Sequence, residues 1–187
     1  MKKTNRYPLA PELEVSTWIN TPKVLTLAEL KGKVVVLHAF QMLCPGCVSH
    51  GLPQATTIHE MFAHDEVQVI GLHTVFEHHG VMTVEALRAF VSEYRLAFPI
   101  AVDLPAALGT IPSSMEKYSM QGTPTLIIID QQGCIRFHHF GSLHDMQVGK
   151  VIGSLLAEGE VQSLMDEEST PSVVIDDALC DDNGCHI

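Results

Sequence analysis

The stretch that most limits what this 187-residue chain can fold into is VVVLHAF, Val34–Phe40, with Cys44-Pro45-Gly46-Cys47 close behind it. A short run rich in β-branched side chains, without helical period and bounded by Lys31-Gly32-Lys33, reads as a buried strand. Residues from Pro45 to about Ala63 are long enough for a helix, with Pro45 near its first turn, where a missing N–H costs little. A C-x-x-C at that point can be a redox couple, half a zinc site or part of a peroxidase pocket. The helix start favours a thiolate at Cys44 through unpaired N–H groups and the macrodipole, with Cys47 one turn inward.

Further along, VQVIGLHTV (67–75) and FPIAVDL (98–104) read as strands. Between them TVEALRAFVSEYRL (83–96) sets Val84, Leu87, Phe90, Val91 and Tyr94 along one helix face, behind Thr83 as N-cap. Ser113-Ser114-Met115-Glu116 has capping-box spacing and predicts a short helix through Tyr118. GTPTLIIID (122–130), the turn Gln131-Gln132-Gly133 and CIRFHHFG form a strand–turn–strand signal. A second capping box, Ser142-Leu143-His144-Asp145, precedes a helix striped by Val148, Val151, Ile152, Leu155 and Leu156. Beyond Glu158 the periodicity fades, with SVVIDD (172–177) as a candidate edge strand. This order predicts an α/β fold, a central mixed sheet flanked by helices, with parallel crossovers and an antiparallel hairpin at one edge.

The formal charge of −11 is uneven: from Glu158 onward there are nine acids and no Lys or Arg. The division expected is a domain over residues 1–157 and an acidic tail over 158–187. The body is close to neutral and offers no basic stripe, so nucleic acid is excluded as a partner. No apolar run approaches the roughly 18–20 residues of a membrane span. The start, MKKTNRYPLAPELEV, lacks the apolar region of a secretory signal, and the expected location is the cytoplasm. Five cysteines are an odd number, and a close pair in a cytosolic chain is more often catalytic or metal-binding than structural.

A strand ending in C-x-x-C at a helix start, with Gly122-Thr123-Pro124-Thr125 before a later apolar strand, resembles the thioredoxin fold. The lead-in Trp18-Ile19-Asn20, LTLAELKGKVVVLHAF and a helix–strand insertion between His73 and Asp103 resemble the redoxin subgroup. That subgroup holds thiol-disulfide reductases and relatives of alkyl hydroperoxide reductase and thiol-specific antioxidant. The resemblance covers roughly residues 12–157. It implies a cis Pro124 lying against the cysteines, which would expose the Thr123 backbone to an extended substrate chain and keep metal off the sulfurs. The activity implied is thiol-disulfide exchange, with Cys44 attacking and Cys47 resolving the mixed disulfide. Two positions depart from the family: Leu43 stands where Trp usually precedes the first Cys, and His38 where thioredoxins bury an acid. A buried His38 could take the proton from Cys47 as a general base with a pKa near the working pH; the alternative is a core His satisfied by a backbone carbonyl. Leu43, Pro45 and Thr123 are the expected substrate-facing residues. No cofactor is required; the partners expected are protein or small-molecule disulfides and an unidentified thiol donor or acceptor.

Two other readings stay open. In a peroxidase, Cys47 would be the peroxidatic residue, but Cys44 and Phe40 occupy positions where that pocket usually needs Thr or Ser and Pro. A metal protein would use the cysteines and some of eleven histidines, with thiolate and imidazole suiting zinc or Cu(I). His78-His79 and His138-His139 are adjacent pairs, and on a strand only one member of each can face inward. In the tail, Cys180 and Cys185 bracket Asp181-Asp182-Asn183-Gly184, a sequence suited to a tight turn; they read either as an accessory redox pair exchanging with Cys44 and Cys47 or as incidental thiols of an acidic tail. Cys134 follows Gly133 and reads as a small buried apolar residue.

Overall fold

The computed structural model describes residues 6–168. Its strands are β1 (Val15–Ile19), β2 (Val34–Phe40), β3 (Val67–His73), β4 (Ile100–Asp103), β5 (Thr125–Ile129) and β6 (Ile135–Phe140). The helices are α1 (Leu52–Met61), α2 (Val84–Glu93), α3 (Ser113–Lys117) and α4 (Asp145–Glu168). One six-stranded sheet runs β1-β4-β3-β2-β5-β6. Strands β2, β3 and β4 are parallel, while β5–β6 is the expected antiparallel hairpin. The opposite edge also ends antiparallel, because β1 pairs with β4. Strand β1 falls within the lead-in, where VSTWI carries no clean apolar alternation and is only partly buried.

Every residue of β2 is buried, as a central strand covered on both faces must be. Val34, Val36 and Phe40 pack with residues of α1, α2 and α4. Val35, Leu37 and Ala39 face the other way, onto Met115 and Tyr118 at α3 and Leu27 and Leu30 of the lead-in. The period of two places His38 on the α1 side, between Val36 and Phe40.

The Thr83 hydroxyl caps α2 as expected, accepting from Ala86 N at 3.2 Å. Leu87 and Val91 are buried, whereas Val84 and Tyr94 are exposed and Tyr94 stacks on Phe90 instead. Neither capping box forms as read. The N-cap of α3 is Pro112, without a side-chain bond. The Asp103 carboxylate, arriving from the end of β4, accepts from Ser114 N and Met115 N at 2.8 and 3.0 Å. At α4 the ring Nδ1 of His144, not Ser142, accepts from Met146 N at 3.3 Å. Helix α4 also continues to Glu168, past the point where its apolar stripe fades. Residues 172–177 and both Cys180 and Cys185 lie outside the described residues.

Parallel β2, β3 and β4 bring their carboxyl ends to one side of the molecule, where Cys44–Cys47 follows β2. Helix α4 starts on that side: Gln54 Nε2 of α1 donates to Leu143 O at 3.0 Å and Asp145 Oδ1 at 2.7 Å. It then passes the β5–β6 turn, where Gln131 Nε2 donates to Leu155 O at 3.1 Å. Among the described residues no helix is long and apolar enough to cross a membrane.

Candidate active site

Strand β2 leads into buried Gln41 and Met42, after which the chain surfaces at Leu43, 58% exposed. Cys44 N donates to Gln41 O at 3.1 Å and closes the turn. Helical backbone begins at Pro45, itself exposed. Over Cys47–Gly51 the helix is widened, and Leu52 N donates to the Cys47 carbonyl five residues back. The cause is Pro53, near the start of α1: it has no N–H, and its ring would press on the carbonyl four residues earlier in a regular helix.

Cys44 is partly exposed and Cys47 is buried. Cys47 N donates to Cys44 Sγ at 3.3 Å, so a helix-terminal N–H is aimed at the first sulfur. On its other side Cys44 Sγ lies 3.4 Å from Thr123 O, placed to donate as a thiol. Burial, and then interaction with the Cys44 thiol, push the Cys47 thiol up to about 12. The pair is therefore asymmetric, one sulfur at the surface and one held protonated beneath it.

The Thr123–Pro124 peptide is cis, as the sequence resemblance implied. Pro124 is buried and Thr123 partly so. A Cβ on Gly46 would come 3.3 Å from Pro124 Cδ, so Gly46 lets the C-x-x-C turn close onto the proline. Thr123, Pro124, Cys44 and Cys47 thus meet in one place, with Leu43 and Pro45 on its exposed rim.

His38 is 2% exposed and lies under Gly51: a Cβ there would fall 2.9 Å from its Nε2. Its Nδ1 has no hydrogen-bond partner, which departs from the carbonyl-satisfied core His. Burial also drives its pKa down to about 4, well below the value near the working pH expected of a general base. Burial thus opposes proton transfer from Cys47 to His38 at both ends, raising the thiol and lowering the imidazole.

His78, His79 and His138 are exposed. Among the described residues no group of three or more His, Cys, Asp or Glu side chains is arranged to hold a metal ion. Cys134 is buried at the start of the last hairpin strand, as a small apolar residue should be. Sequence reasoning missed Gly46 and Gly51, whose importance lies in what packs against them, and buried Gln41, whose Oε1 has no partner. The short C-P-G-C-x-x-x-G spacing carries the two glycines but not their contacts.

A mixed sheet with two cysteines at a helix start, set against a cis proline on a neighbouring strand, defines the thioredoxin-like redoxins. The chain belongs to the AhpC/TSA family, whose model matches residues 9–138. It is similar to the crystal structure of a thiol-disulfide isomerase from Corynebacterium glutamicum, with 52% identity, 81% of this chain and 97% of that chain covered, and a TM-score of 0.77. It is also similar to a thioredoxin-like superfamily protein of solved structure, with 51% identity, coverage of 80% and 96%, and a TM-score of 0.78. Among curated proteins it is 29% identical over 140 residues to NHL repeat-containing protein 2 of Bos taurus, covering 73% of this chain. The chain spans only 18% of the length of that relative.

Proposed function

We propose that the protein is a thiol-disulfide oxidoreductase whose working centre is Cys44-Pro45-Gly46-Cys47. The observation that carries this reading is the placement of Cys44 Sγ between Cys47 N and Thr123 O at the rim of the fold. The likeness to a thiol-disulfide isomerase at 52% identity supports it. The thiolate of Cys44 attacks one sulfur of a substrate disulfide, forming a Cys44–substrate disulfide and expelling the first substrate thiolate, which takes up a proton from water. Cys47 then attacks Cys44 Sγ; its S–H proton passes to solvent or to the second departing thiolate. The protein ends as the Cys44–Cys47 disulfide and the substrate as a dithiol, two electrons having moved. A thiol donor or acceptor restores the starting state, and the same steps run in reverse when the protein oxidises a dithiol.

Thr123 and Pro124 form the groove for the substrate backbone, with Leu43 and Pro45 touching its side chains. His38 serves here as a positioning residue beneath the widened turn rather than as the base, because its proton affinity is too low. Burial and a raised pKa at Cys47 weigh against a peroxidatic role, which needs an accessible thiolate. Residues 158–187 act as an appendage whose Cys180 and Cys185 exchange with the main pair.

The test is reduction of the insulin disulfides with dithiothreitol as donor, followed by turbidity. Activity should vanish in Cys44→Ser, and Cys47→Ser should accumulate a substrate disulfide mapped to Cys44. Full activity in Cys44→Ser would overturn the assignment.

A further inference from the structure

Phe140 closes β6, the edge strand beside β5, and its side chain is 46% exposed. The ring lies across Gly122: a Cβ on that glycine would fall 2.9 Å from Phe140 Cε2 and 3.2 Å from Cζ. Gly122 does not take left-handed backbone, so what a side chain there would meet is the ring and not conformational strain. Gly122 adjoins Thr123, whose carbonyl lies 3.4 Å from Cys44 Sγ. Three contacts fix this arrangement. Phe140 pairs with Thr125 in the β5–β6 ladder, Thr125 Oγ1 donates to Gly122 O at 2.7 Å, and Gly141 N donates to Pro124 O at 2.8 Å. Gly141, at φ 99°, then turns the chain away, and β6 stops at the ring.

We propose that Phe140 is a specificity-determining residue: its exposed ring receives an aromatic or large aliphatic side chain of a polypeptide disulfide, within about two residues of the cysteine that Cys44 attacks. The inference rests on the oxidoreductase reading and gives its substrate a chemical character. A substrate strand laid along Thr123 advances about 3.3 Å per residue, so one of its residues near the cysteine falls opposite Gly122. Residues opposite each other in a ladder turn their side chains to the same face. The ring stands where the Cβ of Gly122 would be, and the substrate side chain opposite Gly122 is therefore directed at the ring. Segments 120–125 and 140–143 hold no charged residue, so they offer a charged substrate side chain no ion pair. Contact between two rings adds to the gain from burial, and a ring already held in place loses little freedom on binding.

Symmetric cystine peptides carrying Phe, Leu, Ala or Lys at each of the two positions before and after the cysteine test this. Their reduction by the dithiol form of the full chain is followed at about 0.5 M salt, where long-range charge is screened. Each rate is divided by that of the same peptide with glutathione, which removes the reactivity of the disulfide itself. At one position Phe should exceed Ala by about tenfold, with Leu between them. In Phe140→Ala the Phe and Ala peptides should be reduced alike. Phe140→Lys should move the preference at that position from Phe to Asp. Should both variants unfold, the wild-type rates alone decide. Equal rates for Phe and Ala at every position, a Lys peptide faster than the Phe peptide, or a Phe preference that survives in Phe140→Ala would overturn the proposal and leave the oxidoreductase reading standing. A wild type that reduces none of the peptides overturns both.

Discussion

His38 and Gly51 are in contact across the interface of β2 and the widened turn, with no room for a side chain between them. Gly51 has φ −63°, ordinary helical backbone, so conformational freedom is not why a glycine stands there. In an open helix Gly→Ala would stabilise by roughly 0.5–1 kcal/mol. Here the new methyl strikes a buried imidazole, and overpacking of that kind costs about 1–3 kcal/mol. Gly51→Ala should therefore lower stability by about 1–2 kcal/mol in urea unfolding; a rise in midpoint would show that the ring yields freely.

The two buried imidazoles, His38 and His73, make stability depend on pH. Each has its pKa lowered by burial from 6.5 to about 4 in the folded protein. Between those values the unfolded chain holds more protons, so stability rises with pH through this window. It is complete above about 6.5 and lost as pH falls toward 4, by at most ~3 kcal/mol per ring. His38→Leu, which removes one ring, should flatten the slope of urea midpoint against pH between 7 and about 4.5. An unchanged slope would mean that His38 is not a source of it.

Alkylation should separate the two thiols of the reduced protein. At pH 8 a thiol pushed up to about 12 holds only ~0.01% thiolate, and Cys47 is also shielded from solvent. Iodoacetamide followed by peptide mass mapping should label Cys44 first, with Cys47 slower by more than ~100-fold. Equal labelling of both would contradict the asymmetry.

Asp103 joins β4 to α3 through two charge-assisted bonds to backbone N–H groups. Asp103→Ala should cost about 2–4 kcal/mol, because two buried donors lose their acceptor. Asp103→Asn keeps one good acceptor and should cost roughly half as much. Thermal unfolding of the two variants checks the order; equal loss in both would point to charge rather than bond number.

The strand and helix succession was legible wherever one local pattern decided it. VVVLHAF had to be buried on both faces, Thr83 could cap only the helix that follows it, and C-x-x-C with a distant Thr-Pro reads as one site through resemblance. What failed was set by distant partners. The serine boxes before α3 and α4 had the right spacing, yet Asp103 and His144 took those N–H groups. The burial of His38 followed from its strand, but its low proton affinity followed from packing under Gly51, which no spacing reveals. Phe140 likewise looks, in sequence, like any apolar residue at a strand end.

Helix α4 begins beside the thiols and travels down the sheet to leave at the opposite pole. From Leu155, where it meets the β5–β6 turn, it extends roughly 20 Å further before Glu168, and β2 alone spans about 20 Å back to the level of Cys44. The dozen residues from Glu168 to Cys180 reach at most about 40 Å when fully drawn out. A tether starting from the far pole thus has almost no slack for Cys180 to meet the Cys44 of its own chain. Cys185 has more, and the thiols of a second molecule demand none. Dilution is the direct probe: exchange between tail and main pair that slows in proportion to protein concentration is a meeting of two molecules.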